Sequence, residues 1–387
     1  MATFDEFVSS LRQEFGEQGA GKKFEVFCKW FLENDPEWSK TVDKVWLWSE
    51  YPDKWQRKDL GTDLVFRDND GLIWAVQSKC YSPHLGPNTE DVGKFLGDSG
   101  RAQVSRRLWM QTTNKMTAEA RAMLFGQDKK TTILDLSFFQ SVEVDYPSSF
   151  ADLYQAKIKN RPTPDPHQIE AIKDVTAGLQ KSDRGQMIMA CGTGKTFTTL
   201  WIKEALKAET TLVLLPSLSL LSQTMREWAW AGNSEFEILN VCSDKSVGKK
   251  TEDMAPSDAP FAVTSDVHEI SKFLSKSGPR VVFCTYQSSQ LIAEAQFDTK
   301  VPTFELAIAD EAHRCAGKAD ADFATILDGN KIRAFKRLFT TATPRYFGKA
   351  IKDASKAKDL AIIGMDDETV FGRVIHQLTF GKARRSL

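Results

Sequence analysis

An α/β architecture in two domains is what the sequence predicts, and three observations predict it. The chain has 387 residues, beyond the roughly 250 to 300 at which a single hydrophobic core stops growing. Three prolines within Asn160-Arg-Pro-Thr-Pro-Asp-Pro-His167 bar a regular helix and mark a linker. Past that linker, short apolar runs alternate with helical segments, the rhythm of a parallel sheet covered by helices. The boundary falls near residue 158, which gives domains 1–157 and 158–387.

Taken in order, Phe4, Phe7, Val8, Leu11 and Phe15 fall at helical spacing, and Phe24, Phe27, Cys28 and Phe31 repeat it after Gly19 and Gly21. Two amphipathic helices are expected there. From Val45 to Lys79 the runs Val45-Trp-Leu-Trp48, Leu64 to Phe66 and Leu72 to Val76 surround the turn residues Asp68-Asn-Asp-Gly71, which predicts a β-hairpin. In the second domain the runs Met187 to Met189, Thr211 to Leu215, Val281 to Thr285, Leu306 to Ile308 and Arg337 to Phe339 are the expected parallel strands.

Composition excludes several classes. Lys plus Arg (51) and Asp plus Glu (52) cancel, so any nucleic-acid contact must come from a local groove rather than a bulk field. The cysteines at 28, 80, 191, 242, 284 and 315 lack a CxxC pair, which argues against a zinc site or a disulfide framework and fits a reducing cytoplasm. Met1-Ala-Thr-Phe-Asp-Glu6 is not a secretion signal, and no run approaches the roughly 20 apolar residues of a spanning helix, so no membrane partner is expected.

Chemistry concentrates in two places. Gly192-Thr193-Gly194-Lys195-Thr196 sits between an apolar strand and a helix, where glycines turn backbone N–H groups toward phosphate and the helix N-terminus adds partial positive charge. Lys195 would reach the β- and γ-phosphates of ATP, and the Thr196 hydroxyl would hold Mg²⁺. Met189 stands where the strict pattern has its first glycine. Downstream, the apolar strand Leu306-Ala-Ile-Ala309 ends in Asp310 and Glu311, carboxylates suited to holding Mg²⁺ and polarising water.

In the first domain, Gly61-Thr-Asp63 and Gln77-Ser-Lys79 bracket the hairpin. A three-residue loop with Gly71 left-handed would pair Asp68 with Leu72 and set Asp63 opposite Gln77, while period-2 geometry puts Gln77 and Lys79 on one face. An acid, an amide oxygen and an ammonium so gathered suit phosphodiester hydrolysis: Asp63 and Gln77 for Mg²⁺, Lys79 for water and the developing charge, with Glu25 a further carboxylate. Asp59 and Asp53 are rival acids nearby. A surface hairpin facing water is the plainer alternative.

Gln168, Ala190-Cys-Gly-Thr-Gly-Lys-Thr196, Leu214-Leu-Pro-Ser217, Cys284-Thr-Tyr-Gln287, Asp310-Glu-Ala-His313 and Thr341-Ala-Thr343 occur in the order of superfamily 2 helicases, whose first RecA-like lobe the second domain resembles. That likeness implies that Gln168 reads adenine, Glu311 orients the hydrolytic water, and His313, Thr341 and Thr343 couple nucleotide state to DNA contacts. It also implies that Pro216-Ser217 and Thr285 to Ser288 touch the DNA backbone. The span from Phe24-Glu25 through Asp63 to Gln77-Ser-Lys79 resembles the Mrr-like branch of the PD-(D/E)xK nucleases, in which Gln often replaces the acid.

Together the two domains resemble the N-terminal part of Type I single-polypeptide (Type ISP) restriction enzymes, to about Lys382. The likeness implies an Mg²⁺-dependent DNA endonuclease joined to an ATP-binding translocase lobe, acting on double-stranded DNA in a restriction-modification system. The tail Gly381-Lys-Ala-Arg-Arg-Ser-Leu387 departs from the family, and a truncation or an altered reading frame is expected, with a second RecA-like lobe supplied by other restriction-modification domains or subunits. The alternatives are a nucleotide-responsive DNA-binding module with an inactive nuclease fold, and an inactive fragment.

Overall fold

The computed structural model describes residues 2–55, 61–125, 127–155, 157–158, 160–243, 259–318, 322–348 and 362–378. Asp59 and the tail 381–387 lie outside them. The chain divides into two compact units, Met1–Asn160 with Ser257–Ala262, and Arg161–Pro256 with Val263–Leu387.

In the first unit a long helix, α1 (Phe4–Asn34), opens on a capping box in which Thr3 and Glu6 bond each other's backbone N–H. The expected break lies at Gly16 (φ 68°, ψ 172°), not at Gly19 or Gly21, both of which stay helical. The sheet contains β1 (Val42–Leu47), β2 (Leu64–Asp68), β3 (Ile73–Lys79), β4 (Val104–Gln111) and β5 (Thr131–Leu134), in that spatial order. The first three are antiparallel and the last three parallel.

Alternation along β3 sends Trp74 and Val76 into the α1 core with Leu64, Phe66, Leu108 and Met110. Ala75 instead packs against α2 (Thr89–Asp98) and α3 (Ala118–Phe125) on the opposite face. A short helix, α4 (Leu136–Ser141), and the two-residue strands β6 (Val144–Asp145) and β7 (Lys157–Ile158) complete the unit.

The hairpin register pairs Leu64 with Val76 and Arg67 with Ile73, and Asp68 N donates to Leu72 O at 3.0 Å. This is the register of the three-residue loop. Gly71 sits at φ 78°, a conformation that costs an L-residue about 1–3 kcal/mol. Gly71→Ala is therefore expected to lower unfolding free energy by about 1 kcal/mol or more, read from a urea midpoint at unchanged slope.

In the second unit eight parallel strands form one sheet. In chain order they are β8 (Arg184–Met189), β9 (Thr210–Leu215), β10 (Glu237–Val241), β11 (Val263–Thr264), β12 (Arg280–Thr285), β13 (Phe304–Ala309), β15 (Ala334–Thr341) and β17 (Arg373–Leu378). A separate ladder joins β14 (Gly317–Lys318) to β16 (Ile362–Ile363). The spatial order is β11-β10-β12-β9-β13-β15-β8-β17. Helices α5 (Pro166–Lys181), α6 (Lys195–Ala205) and α7 (Leu218–Ala231) pack on one face, while α8 (Val267–Leu274) and α9 (Ser289–Ala295) build the core on the other. The fully buried run of β9, TTLVLL, is what a strand covered on both faces requires. Among the described residues no helix is long and apolar enough to cross a membrane.

Candidate functional site

Because β8, β15 and β13 are parallel neighbours, everything that follows their C-terminal ends is delivered to one rim of the sheet. After β8 comes the glycine loop, with Gly192 at φ 78° and Gly194 at φ 72°. Two left-handed glycines in three residues let successive N–H groups form an anion-binding concavity, which α6 continues from Lys195. Met189 explains itself: it is the last residue of β8, fully buried and paired with Leu378, so no glycine is needed there.

After β13 come Asp310 and Glu311. The Lys195 ammonium lies 3.2 Å from a Glu311 carboxylate oxygen, so the loop and the acidic pair face each other. Asp310 accepts from Thr340 Oγ1 at 2.7 Å, and its main-chain oxygen accepts from the Tyr286 hydroxyl at 2.6 Å. Burial pushes the Asp310 carboxyl above its ordinary range, Thr340 opposes that rise, and the neighbouring Glu311 adds to it. Glu311 itself is left-handed (φ 48°, ψ 45°), a strained placement for a residue with a side chain.

From Glu311 a chain of polar contacts runs outward. His313 Nδ1 lies 3.3 Å from its carboxylate and 3.0 Å from Thr341 Oγ1, and Thr341 Oγ1 accepts from Thr343 N at 3.2 Å. Gln168 is spent locally: its amide donates to the Gly194 and Thr193 carbonyls at 3.2 and 3.4 Å, and its oxygen caps α5 through Asp165 N. The Thr196 carbonyl accepts from Trp228 Nε1 at 3.0 Å. Thr285 and Ser288 are buried and bonded to each other at 3.0 Å, while Gln287 beside them is exposed. Ser217 caps α7.

The first unit gathers its polar residues at the ends of β2 and β3. Asp63, one residue ahead of β2, is buried, and its Oδ2 accepts from Gln77 Nε2. The same oxygen accepts from Ser78 N at 2.8 Å and from Ser78 Oγ at 3.2 Å. Gln77 and Lys79 share the face of Ala75, whereas Ser78 belongs to the α1 face. Asp63 is thus reached from both sides of the sheet.

Glu25, on α1, pairs with Lys22 at 2.8 Å. Burial first, then the charges of Asp63 and Glu25, push the Cys28 thiol well up, so both carboxylates act on one buried sulfur. Tyr81, the next residue after Lys79 on the same alternation, donates to Asp91 at 3.1 Å. Ser78, Thr340 and Trp228 were not anticipated from sequence as partners of these sites.

Among the described residues no three His, Cys, Asp or Glu side chains gather as a metal cluster. The oxygen-only set of Asp63 and Gln77 still fits a hard divalent ion such as Mg²⁺, which keeps most of its waters and takes few protein ligands. It fits only if the Gln77 amide turns its oxygen where its nitrogen now faces Asp63. The glycine loop, Lys195 and the buried Asp310 fit a nucleoside triphosphate with its Mg²⁺.

Two family descriptions match: "Restriction endonuclease" over residues 33–156 and "Type III restriction enzyme, res subunit" over residues 161–346. A probable helicase, A859L, of African swine fever virus (isolate Tick/Malawi/Lil 20-1/1983) is 33% identical over 182 residues, 46% of this chain and 19% of the viral protein. Among solved structures, the ATP-dependent Type ISP restriction-modification enzyme LlaBIII bound to DNA has a TM-score of 0.80 and 29% identity, covering 98% of this chain and 25% of that one. A nuclease-deletion mutant of the Type ISP enzyme LlaGI, in complex with a DNA substrate mimic, has a TM-score of 0.45 and 33% identity, covering 58% of this chain and 20% of that one. The chain therefore spans about a quarter or less of the length of these relatives. The chain is thus similar to a restriction endonuclease over residues 33–156 and to a Type III res subunit over residues 161–346, and its fold resembles that of a Type ISP restriction-modification enzyme.

Proposed function

We propose that this chain cuts double-stranded DNA with Mg²⁺ at a site formed by Asp63, Gln77 and Lys79, and binds Mg²⁺·ATP at the Gly192–Thr196 loop to drive a DNA-translocating lobe. The observation that carries the reading is the convergence of Asp63, Gln77 and Ser78 at one strand end in a restriction-endonuclease domain. Asp63 and Gln77 would hold the metal, which lowers the pKa of a bound water and stabilises the departing oxygen. Lys79, on the Gln77 face, would orient that water and meet the charge that develops on phosphorus.

In the second unit Thr196 and Asp310 would hold the nucleotide's Mg²⁺, with Glu311 orienting water. Glu311 also stands at the head of the His313–Thr341–Thr343 contacts, a route by which phosphate occupancy would reach the rim of the sheet. Gln168, already bonded to the loop, would read adenine. Incubation of the full chain with supercoiled plasmid and Mg²⁺ tests the nuclease reading, and nicking or linearisation that requires the metal is the expected result.

A second reading, a nucleotide-responsive DNA binder whose nuclease fold is inactive, is favoured by Gln77 standing where a second acid would add ligand charge. DNA binding without metal-dependent cutting would decide for it.

Thr340→Val is expected to weaken Mg²⁺ binding in the nucleotide site. Removing the Thr340 hydroxyl takes away the bond that opposes the rise of the Asp310 pKa, so protons compete better with the metal. A lost neutral-to-charged hydrogen bond is worth about 1.5 kcal/mol, or roughly tenfold. A Mg²⁺ titration of nucleotide binding measures it, with the largest effect at the acid end; an unchanged midpoint would refute it.

A further inference from the structure

We infer that Ser78 is a positioning residue for the metal-binding carboxylate of Asp63, an inference that rests on the nuclease reading above. Strand alternation makes Ser78 the odd member of its neighbourhood. Gln77 and Lys79 stand on the α2–α3 face with Ala75, while Ser78 stands on the α1 face with Trp74 and Val76. An apolar residue is what that face otherwise takes: Val76 is fully buried and so are Leu108 and Met110 beside it.

Ser78 is 7% exposed, and its hydroxyl bonds Asp63 Oδ2 at 3.2 Å while its own N–H bonds the same oxygen at 2.8 Å. Two donors from one residue, one fixed by the backbone and one by the side chain, set both the position and the tilt of the carboxylate. The hydroxyl does so from the α1 face, the side away from Gln77 and Lys79, and the N–H from within the plane of the sheet. When the Gln77 amide turns to offer its oxygen to a cation, Asp63 loses that donor, and the two Ser78 donors continue to hold the carboxylate. The hydroxyl thereby acts on the metal through Asp63 without touching it, as outer partners of metal ligands do.

The test uses the full chain and reads metal binding directly. Mn²⁺ titrated calorimetrically into nucleotide-free, DNA-free protein gives the affinity, and plasmid cleavage against Mn²⁺ concentration gives the midpoint and the maximal rate. Ser78→Ala is expected to weaken Mn²⁺ affinity and raise the cleavage midpoint by about tenfold, with a smaller change in maximal rate. Ser78→Thr, which keeps the hydroxyl, restores both toward the wild-type values. A merely structural hydroxyl would lower the melting temperature and leave the midpoint in place. Ser78→Ala binding metal as wild type overturns the inference, as does a Thr variant that folds and fails to rescue. Asp63→Asn separates the two layers: if it binds Mn²⁺ as tightly as wild type, the metal does not sit on Asp63, and the nuclease assignment falls with the role of Ser78.

Discussion

Asp63→Asn is expected to abolish metal-dependent DNA cleavage, by about a thousandfold or more, while the protein stays folded. The size follows from what the carboxylate would do. It is the one charged member of the Asp63–Gln77 pair, and an amide pair has little hold on a divalent ion that prefers anionic oxygen. Without the ion, water at neutral pH is a poor nucleophile and the leaving oxygen is unassisted. Asn is preferable to Ala because Asp63 is buried and accepts from Gln77 Nε2, Ser78 N and Ser78 Oγ. Ala would strand three buried donors at about 1–3 kcal/mol each, whereas Asn retains an acceptor. Nicking of supercoiled plasmid, with circular dichroism to confirm the fold, measures the effect. Cleavage by the Asp63→Asn variant at the wild-type rate would remove Asp63 from the active site.

Gln77→Glu would act in the opposite sense on the metal and adversely on the metal-free fold, since two carboxylates would then meet where an amide now donates to one. That contrast bears on how much of the site was legible. Register was legible, because a glycine at the third loop position and the period of two leave little freedom between Asp63 and Gln77. β9, β12 and β13 of the second unit were legible too, since each holds a run of consecutive apolar residues, and β9 and β12 are buried along their whole length.

Edge strands were not. β17 is half exposed, with the burial pattern of a solvated strand, and its place beside β8 depends on Ile375 lying against Gly178 and Gly185 in elements far away in sequence. The break in α1 escaped for a related reason. Three glycines were available, and side-chain spacing alone does not say which one leaves the helix. Ser78 and Thr340 escaped because their importance comes from one side-chain bond each to a carboxylate 15 and 30 residues away. Short polar residues inside apolar strands carry no periodic signal of their own.

Lys195→Ala is expected to lower ATP affinity by about a hundredfold with little change in stability. Lys195 lies 3.2 Å from Glu311, with its side chain 12% exposed and that of Glu311 25% exposed. A partly exposed pair of this kind contributes about 1 kcal/mol or less to folding, so its loss shifts the melting temperature by only a few degrees. Phosphate is a different matter. The β- and γ-phosphates bring several negative charges close to Asp310 and Glu311, and Lys195 is the cation placed between the loop and those acids. Removing it leaves anion facing anion across a poorly solvated gap, and a hundredfold loss corresponds to about 2.7 kcal/mol, within the range for charge-assisted bonds. Glu311→Gln supplies the contrasting arm, because it removes the partner that competes with phosphate for Lys195. It should bind ATP at least as well as wild type and lose hydrolysis. Fluorescence titration with a labelled ATP analogue distinguishes the two variants. Unchanged affinity in Lys195→Ala, or a matching loss in Glu311→Gln, would mean that the loop does not hold the triphosphate in this way.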